Sequence, residues 1–205
     1  MTGLGHRFVG CLAITAGLAV APSSAVSEIL GRIEARLGDA EMAWNTITGT
    51  RGNGTMATAS LRLGPRLTEL HIEGFPGADF TSQGVLSLDL RYLTPYSPDR
   101  APLAVDILYM PDGMGGPFWT SDGASMAPVV RVLSLDVWGA VGRVDALFAA
   151  DLCLRPIISS ATDPDTCRAL SGRVETELFV ERGRAGAGRP GATAPVPGAR
   201  ADRAR

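Results

Sequence analysis

The sequence predicts an all-β fold, an antiparallel β-sandwich or flattened barrel of about ten short strands. Three observations carry this expectation. Apolar and polar residues alternate with period two: within residues 85–93, Leu86, Leu88, Leu90 and Tyr92 share one face while Ser87, Asp89 and Arg91 share the other. Turn-forming pairs punctuate the chain at short intervals, among them Asn53-Gly54, Gly64-Pro65, Pro76-Gly77, Ser97-Pro98, Asp112-Gly113 and Asp122-Gly123. Beyond the N-terminal segment, no stretch longer than residues 26–33 carries a convincing helical pattern.

Residues 1–25 have the three parts of a secretory signal: a short start with His6 and Arg7, an apolar run from Phe8 to Ala21, and small residues at the exit. Ser23 and Ala25 stand where a signal peptidase requires small side chains, so cleavage after Ala25 is expected and the mature chain starts at Val26. The folded domain is then residues 26–181, enough chain for one hydrophobic core.

Within it, residues 27–38 fit either a strand or a helix face bearing Leu30, Ile33 and Leu37, and strand is the preferred reading. A hairpin follows across Gly38-Asp39, from residues 33–37 to residues 40–47. Further strands are expected at residues 55–63, 67–73, 85–93, 103–109, 128–138, 143–154 and 171–180. Residues 182–205 hold seven Ala, six Arg, five Gly and three Pro, with Val196 the sole large aliphatic residue. That composition offers too little apolar surface to offset ordering entropy, which predicts a disordered, solvated extension.

All 19 basic residues are Arg, a bias that hints at a bacterial source. Between Glu28 and Glu181, 12 Arg face 20 acidic residues, a net charge near −8. An acidic domain repels phosphate backbones, which argues against nucleic-acid binding. No apolar run beyond the signal reaches membrane-spanning length, so the mature chain is expected to lack a transmembrane segment and to be periplasmic or secreted.

Loss of the signal removes Cys11 and leaves Cys153 and Cys167. An even count in an exported chain predicts a disulfide between them, across a turn-rich intervening segment.

Candidate chemistry is sparse. His71 is the sole histidine of the mature chain, and alternation puts it on one face with Glu69 and Glu73. A Glu-x-His-x-Glu row supplies part of a metal shell or a general base, but an exposed, partly ion-paired histidine is the preferred reading. Asp112, Asp122, Asp163 and Asp165 lie in loops where calcium finds hard oxygen ligands, but neither PDGMGG nor ATDPDT has the Asp-x-Asp-x-Asp-Gly spacing of an EF-hand loop, and turn formation is the preferred account. Trp119, between two Gly/Asp turns, is the aromatic least explained by core packing, although capping one end of the sandwich core is its preferred reading. Asp112, Trp119 and Asp122 therefore form the candidate ligand-binding set.

No catalytic constellation emerges and no cofactor is implied. The leading expectation is an exported, non-enzymatic structural or protein-binding module of the bacterial envelope. The alternatives are a glycan- or calcium-binding module built on the loops around Asp112, Trp119 and Asp122, and a hydrolase using His71 or loop carboxylates.

Overall fold

The computed structural model describes residues 27–183, apart from residues 52 and 53, and every regular element in it is a strand. In chain order these are β1 (Glu28–Leu37), β2 (Ala40–Arg51), β3 (Gly54–Ala57), β4 (Ala59–Leu63), β5 (Leu67–Gly74), β6 (Val85–Leu93), β7 (Ala104–Met110), β8 (Phe118–Thr120), β9 (Val129–Trp138), β10 (Val141–Arg155) and β11 (Asp163–Arg182). They form one mixed sheet in the order β3-β2-β1-β11-β4-β5-β6-β7-β8-β10-β9, with an additional pairing of β11 to β10. That pairing closes a circuit through β11, β4, β5, β6, β7, β8 and β10, so the sheet folds into the expected flattened barrel or sandwich. The expected signal segment lies outside the described residues, as does the expected disordered tail beyond Gly183; Arg182, expected to begin that tail, instead ends β11 paired with Leu63, and Gly183 N–H donates to the Leu63 carbonyl (3.0 Å).

Two long strands make closure possible by changing neighbours along their length. β11 pairs with β1 over Leu170–Thr176 and then, in parallel, with β4 over Phe179–Arg182. β10 pairs with β9 over Val141–Ala149 and with β8 over Cys153–Arg155. Strands β1 to β3 extend from β11, and β9 extends from β10 as the other end of the sheet.

The ambiguous segment at residues 27–38 is a strand, because both of its edges are occupied: β1 pairs with β2 and with β11. The run expected at residues 55–63 is two strands, divided at Thr58. Its N–H donates to the Ile47 carbonyl (3.0 Å), its carbonyl accepts from Glu73 N–H (2.6 Å), and its hydroxyl accepts from Ile47 N–H (2.8 Å). Thr58 thus hands the chain from β2 to β5. The short β8 has no counterpart among the expected strands and joins β7 to β10 through the pairs Tyr109–Trp119 and Leu154–Trp119.

Alternation delivers the core as expected. Ile33, Trp44, Leu61, Ile72, Leu88, Ile107, Phe148, Leu152 and Leu178 are buried in one cluster. Each such side chain contributes about 1.5–3 kcal/mol on leaving water. A smaller cluster of Ile47, Phe75, Val85, Met110 and Phe118 lies separately. Trp44 holds its place through its indole N–H, which donates to the Gly84 carbonyl (2.6 Å), and through edge-to-face contact with Tyr109. Among the described residues no helix is long and apolar enough to cross a membrane.

Candidate functional site

A polar constellation containing the sole described histidine lies on the outer face of β4, β5, β6 and β7. Register sets Ser60 opposite His71, His71 opposite Asp89, and Asp89 opposite Asp106, giving one cross-strand row over four strands. A second row runs beside it: Arg62 opposite Glu69, and Glu69 opposite Arg91. Residues two apart on a strand share a face, which is why these side chains converge. Together they line a shallow concavity of about 460 Å³.

Within the row, His71 Nδ1 and Asp89 Oδ1 are 2.6 Å apart, and the other carboxylate oxygen of Asp89 accepts from the Ser87 hydroxyl at 3.0 Å. The bond to Asp89 raises the His71 imidazole above its ordinary value against the opposing effect of burial, with the charges of Asp89 and Glu73 adding to the rise. Burial alone would raise Asp89, but the hydrogen bonds and charge of His71, with Ser87 and Arg91, hold the carboxyl below its usual range. Glu73 is pushed up, chiefly by burial. This geometry commits Nδ1 to Asp89 and leaves Nε2 for a ligand or proton, the arrangement of an oriented general base. Neighbouring ion pairs at Arg91–Asp106 (2.6 Å), Arg62–Glu69 (3.5 Å) and Arg62–Glu181 (3.3 Å) tie the remaining charges down.

The sequence pointed to His71 with Glu69 and Glu73. The partner that matters, Asp89, comes from the next strand. Its outward position was readable from alternation, but the register that sets it against His71 was not.

The loop set is arranged differently from the expected binding surface. Trp119 is only 8% exposed and belongs to the main core. The Arg168 guanidinium lies 4.1 Å from its ring centroid, so a cation–π contact covers the indole. Asp122 is engaged by Arg155 at 2.5 Å, and Arg155 also donates to the Thr162 hydroxyl. Asp112 is exposed just beyond β7. Among the described residues, no group of three or more His, Cys, Asp or Glu is placed to hold a metal ion. Asp163 accepts from Asp165 N–H at 3.0 Å, a local turn contact.

The disulfide joins Cys153 and Cys167, which are direct cross-strand partners on β10 and β11.

A third feature had no signal in the sequence beyond an ordinary strand. β9 pairs only with β10, so the main-chain groups along its other edge have no strand partner among the described residues. A bulge at Leu133 shifts its register, so that Val129, Arg131, Leu133, Ser134, Asp136 and Trp138 are all exposed. Val129 is 65% exposed, Leu133 45% and Trp138 55%. Beside the start of β9 opens an apolar groove of about 450 Å³, bordered by Pro102, Leu103 and Val129. Nearby, the buried hydroxyls of Tyr92 and Tyr96 have no hydrogen-bond partner among the described residues, and burial with the neighbouring Tyr96 pushes Tyr92 up to about 12.

Comparison of the chain with family models, with curated proteins and with solved structures finds no match.

Proposed function

We propose that the protein is an exported, non-enzymatic β-sandwich that serves the bacterial envelope as a structural or protein-binding module, meeting its partner along the open edge of β9. One observation carries the reading: a ten-residue edge strand with apolar side chains turned to solvent. Sheet edges of this length and character pair with other chains unless they are shielded, and soluble proteins normally shield them. Adding a strand supplies main-chain hydrogen bonds along the edge, while Val129, Leu133 and Trp138 supply contact area. The signal sequence and the disulfide are in keeping with an oxidising compartment outside the cytoplasm.

The test is photo-cross-linking in living cells, with the reactive residue at Leu133 on the edge or at Glu34 on the outward, paired strand β1. Adducts from Leu133 in the periplasmic fraction, with none from Glu34, are expected. A protein retained in the cytoplasm, or one giving no adduct from Leu133, overturns the reading.

A hydrolase reading draws support from the row Ser60–His71–Asp89, in which a serine, an imidazole and a carboxylate follow one another across three strands. Its test is His71→Ala: an esterase or peptidase activity that survives this change does not use the row. The glycan- or calcium-binding alternative draws less support, since the Trp119 ring is covered and Asp122 is paired with Arg155.

A further inference from the structure

We propose that the partner strand of β9 is β9 of a second copy of this chain, paired antiparallel about a two-fold axis through the middle of the strand. The proposal rests on the reading of β9 as a contact edge and names its occupant.

The sequence of β9 is complementary to itself. The strand reads V-V-R-V-L-S-L-D-V-W from Val129 to Trp138. Folded against itself about its midpoint, it sets Val129 opposite Trp138, Val130 opposite Val137, Arg131 opposite Asp136, Val132 opposite Leu135, and Leu133 opposite Ser134. Four of these five pairings match apolar with apolar or cation with anion, and the two-fold axis makes every one of them twice. Opposite charges directly across an antiparallel pair are favourable and like charges are not.

The bulge makes this register possible. Residues that face each other across an antiparallel pair must lie on the same face of the sheet. In an unbroken strand Arg131 and Asp136, five positions apart, fall on opposite faces. The extra residue at Leu133 reverses the alternation, so Arg131 opposite Leu147 and Asp136 opposite Arg143 both point outward. Val130, Val132 and Leu135 correspondingly share the inner side, and Val137, opposite Gly142, follows them by register while being 39% exposed. Sliding the second strand by one position breaks this face matching, and sliding it by two separates Arg131 from Asp136.

The two charges are also the wrong kind for guarding an edge. Edges are guarded by charged side chains, prolines, short length, covering segments and bulges, and of these β9 has its bulge and one residue of each charge. Here one cation and one anion occupy symmetry-related positions and attract the copy that approaches in register. At the end of the strand, Trp138 of the second copy arrives opposite Val129, where the groove bordered by Pro102 and Leu103 opens.

The experiment is light scattering of the purified protein across a dilution series, with charge reversals at both positions. The wild type is expected at twice the mass of one chain, dissociating on dilution. Arg131→Asp and Asp136→Arg are each expected to weaken association about ten-fold or more, since each places like charges opposite one another twice. An equimolar mixture of these two variants, and the double variant Arg131→Asp/Asp136→Arg, should both recover it, because both restore cation opposite anion. Recovery in the mixture requires that each single variant is folded, so misfolding cannot imitate it.

A wild type with the mass of one chain at every concentration overturns the proposal, and so does dimerisation indifferent to the single reversals. A one-chain mass together with cross-links from Leu133 to a different protein removes self-pairing but leaves the contact reading. A one-chain mass with no cross-links removes both.

Discussion

Thr46 on β2 and Thr176 on β11 share a hydrogen bond of 2.6 Å across the intervening strand β1, and both are buried. They meet because Gly31 stands between them, paired with Thr176 on one side and Thr46 on the other. Thr176 passes its own hydroxyl proton to the Glu177 carbonyl (2.9 Å), which makes Thr46 the donor in the shared bond. The absence of a side chain at one position therefore lets a hydroxyl chain link β2 to β11 across β1.

Gly31→Ala is expected to destabilise the fold by about 1–3 kcal/mol, the usual cost of overpacking. The added carbon would lie 2.6 Å from the Thr176 side chain and still closer to the Glu175 carbonyl, and backbone cannot swing aside. Chemical denaturation of the two proteins measures the difference. The hydroxyl chain predicts an asymmetry as well: Thr176→Val, which orphans the buried Thr46 donor, should cost about 1–3 kcal/mol. Thr46→Val leaves Thr176 its bond to Glu177 and should cost less.

Removing the disulfide by Cys153→Ala/Cys167→Ala is expected to lower stability by about 2–4 kcal/mol, the range for a short closed loop. The sequence separation is 14, and Cys153 is fully buried, so part of the loss is packing. The midpoint of denaturation should shift accordingly. Alkylation of the exported wild type without reductant should modify no cysteine.

The His71–Asp89 pair makes stability depend on pH in a defined direction. His71 is raised above 6.5, so its contribution is complete below that pH and disappears as pH rises through the folded value. Asp89 is lowered below 3.8, so its contribution is complete above that pH and disappears as pH falls through the folded value. The pair therefore stabilises most between about pH 3.8 and 6.5. Both side chains are nearly half exposed, so screening limits the effect to about 0.5–1 kcal/mol. Comparing wild type with His71→Ala across pH should show the largest gap in that window, narrowing as pH rises beyond 6.5. A gap independent of pH would refute the assignment.

The regular strands were legible because their burial is one-sided. Leu86, Leu88, Leu90 and Tyr92 announce β6, and the run from Val144 to Leu152 announces β10, since each alternate position enters the core. β8 was not legible: three residues, all buried, show no period. Nor was the break at Thr58, where a hydroxyl and a peptide group satisfy two other strands and leave no mark on hydropathy. Trp119 drew attention because its turn-rich surroundings resemble a surface loop; Arg168, which covers it, arrives from β11, far along the chain. Asp89 facing His71 is likewise a matter of register, which a single strand's pattern does not encode. The bulge in β9 disturbed the alternation there and concealed which of its residues share a face.

Amide hydrogen exchange along β9 tests the central claim most directly. If a second strand closes the edge, amides of Val129–Trp138 that point away from β10 should gain protection as protein concentration rises, while the edge strand β3 does not change. Rapid exchange of those amides at every concentration, in protein otherwise fully folded, would contradict self-pairing through β9.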